Sequence, residues 1–305
     1  MRICSLLPSS TEIIYALGLE DQLVAVSHEC DYPPVARQKP QVTASTISST
    51  LTSSEIDFMV RRQLSDVGTL YELNERLLES MEPDIILTQE LCTVCAVSFQ
   101  NVTRLVSKFR KQPHVINLEP TSLEGIFQTI LDVGKLAGVP VRARTVVEDL
   151  RKRIERLSKF TSAVEKRKVL FLEWIDPPFC AGHWIPELIE IAGGYDTLSR
   201  RSAPSTQLAL NEIIEYTPEV VVVSCCGFSV ERTLDEIDKF MKNCRPAVEE
   251  ADVVVVDGSA YFSRPGPRIV ESAEILATIL HPELFPYDYP EHVVRRVTAN
   301  ETTFT

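Results

Sequence analysis

The chain has 305 residues, 44% hydrophobic and 24% charged, which is enough apolar material for two domains or one large one. With 43 acidic against 31 basic residues its net charge is −12, which excludes a general nucleic-acid binder and disfavours an anionic membrane surface. Its longest apolar runs, such as 220–223 and 253–256, are strand-sized, so no membrane span is expected.

Taken in chain order, apolar β-branched runs predict strands at 2–7, 23–27, 84–88, 114–117, 168–173, 220–224 and 252–256. Amphipathic helices are predicted at 11–17, 73–81, 98–109, 123–137, 186–192, 208–215, 234–241 and 268–280. Strands alternating with helices imply an α/β fold built on parallel sheets. The opening residues enter a strand pattern directly. They show no charged head, apolar stretch and cleavage site, which points to a cytoplasmic protein unless an export signal precedes Met1.

The two halves carry the same signals in the same order. Glu12-Ile13-Ile14-Tyr15-Ala16-Leu17-Gly18 parallels Glu187-Leu188-Ile189-Glu190-Ile191-Ala192-Gly193. Pro83-Asp84-Ile85-Ile86-Leu87 likewise parallels Pro218-Glu219-Val220-Val221-Val222. Between the halves, Leu150, Ile154, Leu157 and Phe160 recur at helical spacing in a charged background. Residues 141–166 therefore read as one helical rod more than about 30 Å long. The expected organisation is a lobe over 1–140, a linker helix over 141–167, a lobe over 168–285 and a polar, loosely packed tail over 286–305. That makes two Rossmann-like parallel-sheet lobes joined by one backbone helix, with a cleft between them.

In parallel sheets ligands bind beyond the carboxyl ends of the strands, so the segments there carry the functional signal. Tyr32, Trp174, Trp184 and Tyr261 supply flat walls for a large planar ligand, or else pack within the lobes. Arg264 has two readings, a reader of a ligand oxygen and a salt bridge fixing its loop. Cys30, Cys92, Cys95, Cys225 and Cys226 also follow strands. Cys92-x-x-Cys95 has the spacing by which two thiolates share one zinc ion or iron–sulfur cluster. Buried structural thiols are the alternative. His28 and His183 are single histidines with either a ligand or a packing role. No Gly-x-Gly-x-x-Gly, Walker loop, Gly-x-Ser-x-Gly or His-Glu-x-x-His occurs. A Cys92/His183 hydrolase would lack a third group, so no enzyme is expected.

Four segments carry a resemblance: Leu7-Pro8-Ser9-Ser10-Thr11-Glu12, Cys30-Asp31-Tyr32-Pro33-Pro34, Pro83-Asp84-Ile85-Ile86, and Trp184-Ile185-Pro186-Glu187 through Gly193-Gly194. Across residues 1–285 the chain resembles the helical-backbone class of ABC-type solute-binding proteins, and within it the cobalamin-binding and iron-siderophore members. The resemblance implies capture of a small molecule, a corrinoid such as cobalamin, and delivery to an ABC transporter. It also implies that Tyr32 and Trp184 match corrinoid-contacting positions. The chain departs from that pattern in its cysteines and in its opening residues. The alternative expectation is a cytoplasmic metalloprotein holding zinc or an iron–sulfur cluster on the same scaffold.

Overall fold

The computed structural model describes residues 1–48, 50–66, 70–89 and 99–297. The chain forms two compact units. The first comprises Met1–Leu51, Glu55–Pro120 and Glu124–Glu148, and the second Thr52–Ser54, Thr121–Leu123 and Asp149–Thr305.

The first unit is built on β1 (Ile3–Ser5), β2 (Leu23–Val26), β5 (Ile85–Thr88) and β6 (His114–Asn117), all parallel in the order β2-β1-β5-β6. A separate antiparallel pair joins β3 (Thr43–Ser45) to β4 (Tyr71–Leu73). The continuous apolar character of β1 and β5 follows from position, since central strands of a parallel sheet are covered on both faces. Cys4, Leu6, Ala25, Val42, Leu78, Ile86, Val102, Leu105, Val106 and Phe109 form one buried cluster around them. Cys4 is therefore a small core side chain.

Helix α1 (Pro8–Ala16) starts with proline in its first turn, where the missing N–H costs nothing. It stops at Gly18, whose φ of +61° only glycine adopts freely. Arg142 donates from Nη1 to the Leu17 carbonyl at 3.0 Å, so a cation covers the helix's exposed C-terminal oxygens. Four further helices follow: α2 (Ser53–Asp66), α3 (Glu75–Ser80), α4 (Phe99–Val106) and α5 (Leu123–Leu136). Asn74 caps α3 by accepting the Leu77 N–H at 3.1 Å. Helix α6 runs unbroken from Pro140 to Thr161, 22 residues.

The second unit holds a mixed sheet. Strands β7 (Arg167–Ile175), β10 (Val220–Val223) and β11 (Asp252–Val256) are parallel; β8 (Pro178–Cys180) and β12 (Val294–Val297) run antiparallel at the edges, in the order β12-β11-β10-β7-β8. Strand β9 (Gly194–Tyr195) pairs with β7 off that path. The helices are α7 (Ile185–Ile191), α8 (Leu210–Tyr216), α9 (Val230–Asn243), α10 (Arg245–Val248) and α11 (Ile269–Leu280).

Two corrections follow. The region after 286 contains an ordered strand, because Val294–Val297 hydrogen-bonds along the length of β11. The second sheet is mixed rather than purely parallel, since the short β7–β8 connection allows only a hairpin return.

Candidate functional site

At the carboxyl ends of the parallel strands in the second unit, aromatic and guanidinium groups stack. Trp174, one residue before the end of β7, lies against Phe228 with ring centroids 4.9 Å apart. Its indole N–H is shared between the carbonyls of Ser53 and Asp176, each at 3.2 Å. The Arg232 guanidinium sits over the other ring of this stack, 4.6 Å from the Phe228 centroid, and pairs with Glu236 at 2.5 Å. Ser229 fixes this arrangement by capping α9, accepting the Arg232 N–H at 3.2 Å. Phe228 is held from the next strand as well, since its carbonyl accepts the Ser259 N–H at 3.0 Å.

Trp184 is placed differently from Trp174. It is 5% exposed, and its indole N–H donates to the Phe262 carbonyl at 2.8 Å. Phe262 in turn packs on Phe171 of β7 at 5.1 Å. Trp184 thus holds the loop after β11 rather than offering a ring face. Tyr261 lies under the Arg268 guanidinium at 5.3 Å, and Arg264 is buried to 7% exposure. In the first unit Tyr32 is 43% exposed, the most open of the candidate aromatics.

Buried polar oxygens mark strand ends in both units. Gln89 Oε1 after β5, Asn117 Oδ1 at the end of β6 and Ser224 Oγ after β10 find no hydrogen-bond partner among the described residues. Buried polar atoms are normally paired, so each of these positions is suited to water or a polar ligand atom. A cavity of about 590 Å³ beside the β7–β8 turn is lined by Ile175, Pro178, Leu208 and Phe240, and by none of the candidate residues.

Among the described residues, the cysteines form no metal-binding group. Cys92 and Cys95 lie outside the described residues. Cys30 is 1% exposed, with its sulfur 3.1 Å from Thr11 Oγ1. Cys225 is fully buried, and that burial pushes its thiol well above the ordinary range. Cys226, its neighbour, is exposed. No group of three or more His, Cys, Asp or Glu side chains among the described residues is arranged to hold a metal ion. Buried thiols are the reading the geometry supports for Cys30 and Cys225.

Sequence reasoning missed three residues. Phe228 and Arg232 complete the stack on Trp174; the clue was Arg232 standing three positions after a capping serine and four before Glu236. Thr43 is the third, and its hydroxyl reaches Ser27 and His28 across a connection that sequence spacing does not reveal.

The family model described as "Periplasmic binding protein" matches residues 3–259. The vitamin B12-binding protein of Photorhabdus laumondii is 25% identical over 284 residues, covering 92% of this chain and 88% of that one. A vitamin B12-binding protein of Vibrio cholerae is 24% identical over 285 residues, covering 92% and 88%. Among solved structures, the periplasmic vitamin B12 binding protein BtuF of Vibrio cholerae matches with a TM-score of 0.66 at 21% identity, covering 94% of this chain and 98% of that one. A periplasmic heme binding protein from Pseudomonas aeruginosa matches with a TM-score of 0.72 at 18% identity, covering 98% of each. These likenesses show the two-unit α/β fold and give no support to the cytoplasmic expectation. Named relatives are solute-binding proteins rather than enzymes. With the family model spanning residues 3–259, the chain belongs to the periplasmic binding protein family.

Proposed function

We propose that this protein captures a planar tetrapyrrole-class solute, a corrinoid or a heme, in the periplasm and delivers it to an ABC-type importer. The observation that carries the reading is the half-buried Trp174 ring at the end of β7, backed by buried Phe228 and, beyond it, the Arg232 guanidinium. Relatives named for vitamin B12 and heme binding support the same ligand class. Trp174, Tyr261 and Arg264 of the second unit are the proposed ligand contacts, with Trp184 supporting the loop that carries Tyr261. A zinc or iron–sulfur cargo has no support among the described residues.

Titration with hemin and with diaquocobinamide tests this. Both tryptophans lie in the second unit, so one of these ligands is expected to quench their fluorescence saturably. Trp174→Ala is expected to weaken binding about tenfold, equivalent to ~1.4 kcal/mol, with the fold intact by circular dichroism. Absence of saturable binding of either compound by the wild-type protein rejects the proposal.

A further inference from the structure

The loop that follows β11 in the second unit is built around one residue in an unfavourable conformation. Phe262 is 1% exposed and has φ +60°, a left-handed geometry that crowds its Cβ against its own main chain. A residue other than glycine stays there only where its surroundings over-determine it, and such positions gather at ligand clamps. Three contacts hold Phe262. Its N–H donates to Ser272 Oγ at 3.1 Å, its carbonyl accepts the Trp184 indole N–H at 2.8 Å, and its ring packs on Phe171 at 5.1 Å between centroids. Ser272 lies near the start of α11, is itself 1% exposed, and gives its hydroxyl hydrogen to the Arg268 carbonyl at 3.5 Å. Its oxygen therefore meets the Phe262 N–H with lone pairs. Both main-chain groups of Phe262 are thus satisfied by side chains from outside the loop.

The residues around this anchor are the proposed ligand contacts. Tyr261 and Ser263 are half-buried where Phe262 is buried, so the loop sends one side chain into the unit and leaves its neighbours partly open. The flanks are tied as well. Asp257 Oδ1 accepts the Ser259 and Ala260 N–H groups at 2.9 Å each, and the Gly266 N–H donates to the Arg264 carbonyl at 2.8 Å. A mobile loop loses conformational freedom when a ligand orders it, whereas a loop already fixed does not. We propose that Phe262 is the positioning residue of the binding loop: locked by Trp184, Ser272 and Phe171, it holds Tyr261 and Arg264 in their binding arrangement before the solute arrives. The assignment rests on the proposed function and says how two of its contacts are kept ready.

The test separates association from dissociation. Trp184→Phe keeps an aromatic ring and deletes the donor to the Phe262 carbonyl, and Ser272→Ala deletes the acceptor of its N–H. A loop that is competent for only part of the time slows apparent association by that fraction and leaves dissociation of the assembled complex unchanged. Stopped-flow fluorescence with whichever of hemin and diaquocobinamide binds is expected to show association slowed at least about fivefold in each variant, with dissociation changed less than about twofold. Trp174 remains the reporter in Trp184→Phe. Tyr261→Ala, which removes a proposed contact, is expected to show the reverse pattern, faster dissociation. Without ligand, the Tyr261 amide, which donates to the Asp257 carbonyl at 3.1 Å, and the Gly266 amide are expected to exchange hydrogen faster in both variants, while amides within α11 stay protected. Wild-type binding kinetics in both variants overturn the assignment and leave the proposed function standing. So does faster dissociation with unchanged association in Trp184→Phe, which makes the indole a ligand contact. Unchanged amide exchange overturns the anchor whether or not a ligand binds. Failure of both compounds to bind the wild-type protein overturns the assignment together with the proposed function. Ser272→Ala carries the same readout should Trp184→Phe not fold.

Discussion

A carboxylate placed inside the second unit sets how stability depends on pH. Glu173 of β7 is half-buried and accepts hydrogen bonds from the Gly182 N–H at 2.8 Å and from the Ser205 hydroxyl. Burial pushes its pKa above the ordinary carboxylate value, and the two hydrogen bonds offset this only in part. The folded state therefore holds a proton more tightly than the unfolded chain does. Stability from this group is fully present below the unfolded value near pH ~4.3 and falls as pH rises toward the folded value. Asp196 is half-buried and shifted in the same direction, with Ser199 and the Leu198 N–H as partners. Glu173→Gln keeps the shape and removes the titration. Its melting temperature is expected to fall less steeply than wild type as pH rises above about 4; parallel curves would show that Glu173 ionises in the fold as readily as in water. Neither acid was legible in the sequence, because a glutamate within a strand pattern reads as an outward-facing residue. Trp174 and Trp184 were equally legible as aromatics, but only the contacts separate them. One presents a ring to Phe228, and the other is locked by the Phe262 carbonyl.

Helix α1 shows how an element's end depends on a distant side chain. A Cβ at Gly18 would lie 2.0 Å from Arg142 Nη1, and a non-glycine residue at φ +61° carries its own strain. Gly18→Ala is expected to destabilise the protein by about 1–2 kcal/mol from the backbone alone. It also displaces the guanidinium from the Leu17 carbonyl. Denaturant unfolding of Gly18→Ala, Arg142→Ala and the double variant checks this: the double is expected to lose less than the sum of the singles. Additive losses would mean the cap and the glycine act separately. Elements like β10 and β11 were legible because runs such as Val220–Val223 are buried throughout and have no polar alternation. Strands β3 and β4 were not, because three-residue segments such as Tyr71–Leu73 pair only with each other and bury little. Helix α2 escaped notice for a related reason. Its apolar Phe58 is 62% exposed, so no buried stripe marks its face.

Over the whole molecule the two units repeat one plan, visible in details the sequence halves share. Helices α1 and α7 both carry proline in the first turn and both run into a glycine at positive φ, Gly18 at +61° and Gly193 at +84°. Each unit sets its parallel strands so that the chemistry-bearing segments follow their carboxyl ends, which is why those segments were readable from strand positions alone. How the hydroxyls of Ser27 and Thr43 meet His28 was not, since it depends on pairing between non-neighbouring segments. The second sheet differs from the first in its β12 edge. Asp252–Val256 contains four consecutive valines, and Val294–Val297 pairs along it with Arg295 and Arg296 at its centre. Without that strand, the valine run would present an open row of N–H and C=O groups, the template on which chains add to one another. Two adjacent arginines make β12 a poor template for a further strand. A chain ending at residue 289 is expected to form thioflavin-binding aggregates on mild warming while the full chain stays clear. Unchanged solubility would show that the valine edge is protected by other means. The final strand, polar and easily taken for a tail, is thus the molecule's guard against self-polymerisation.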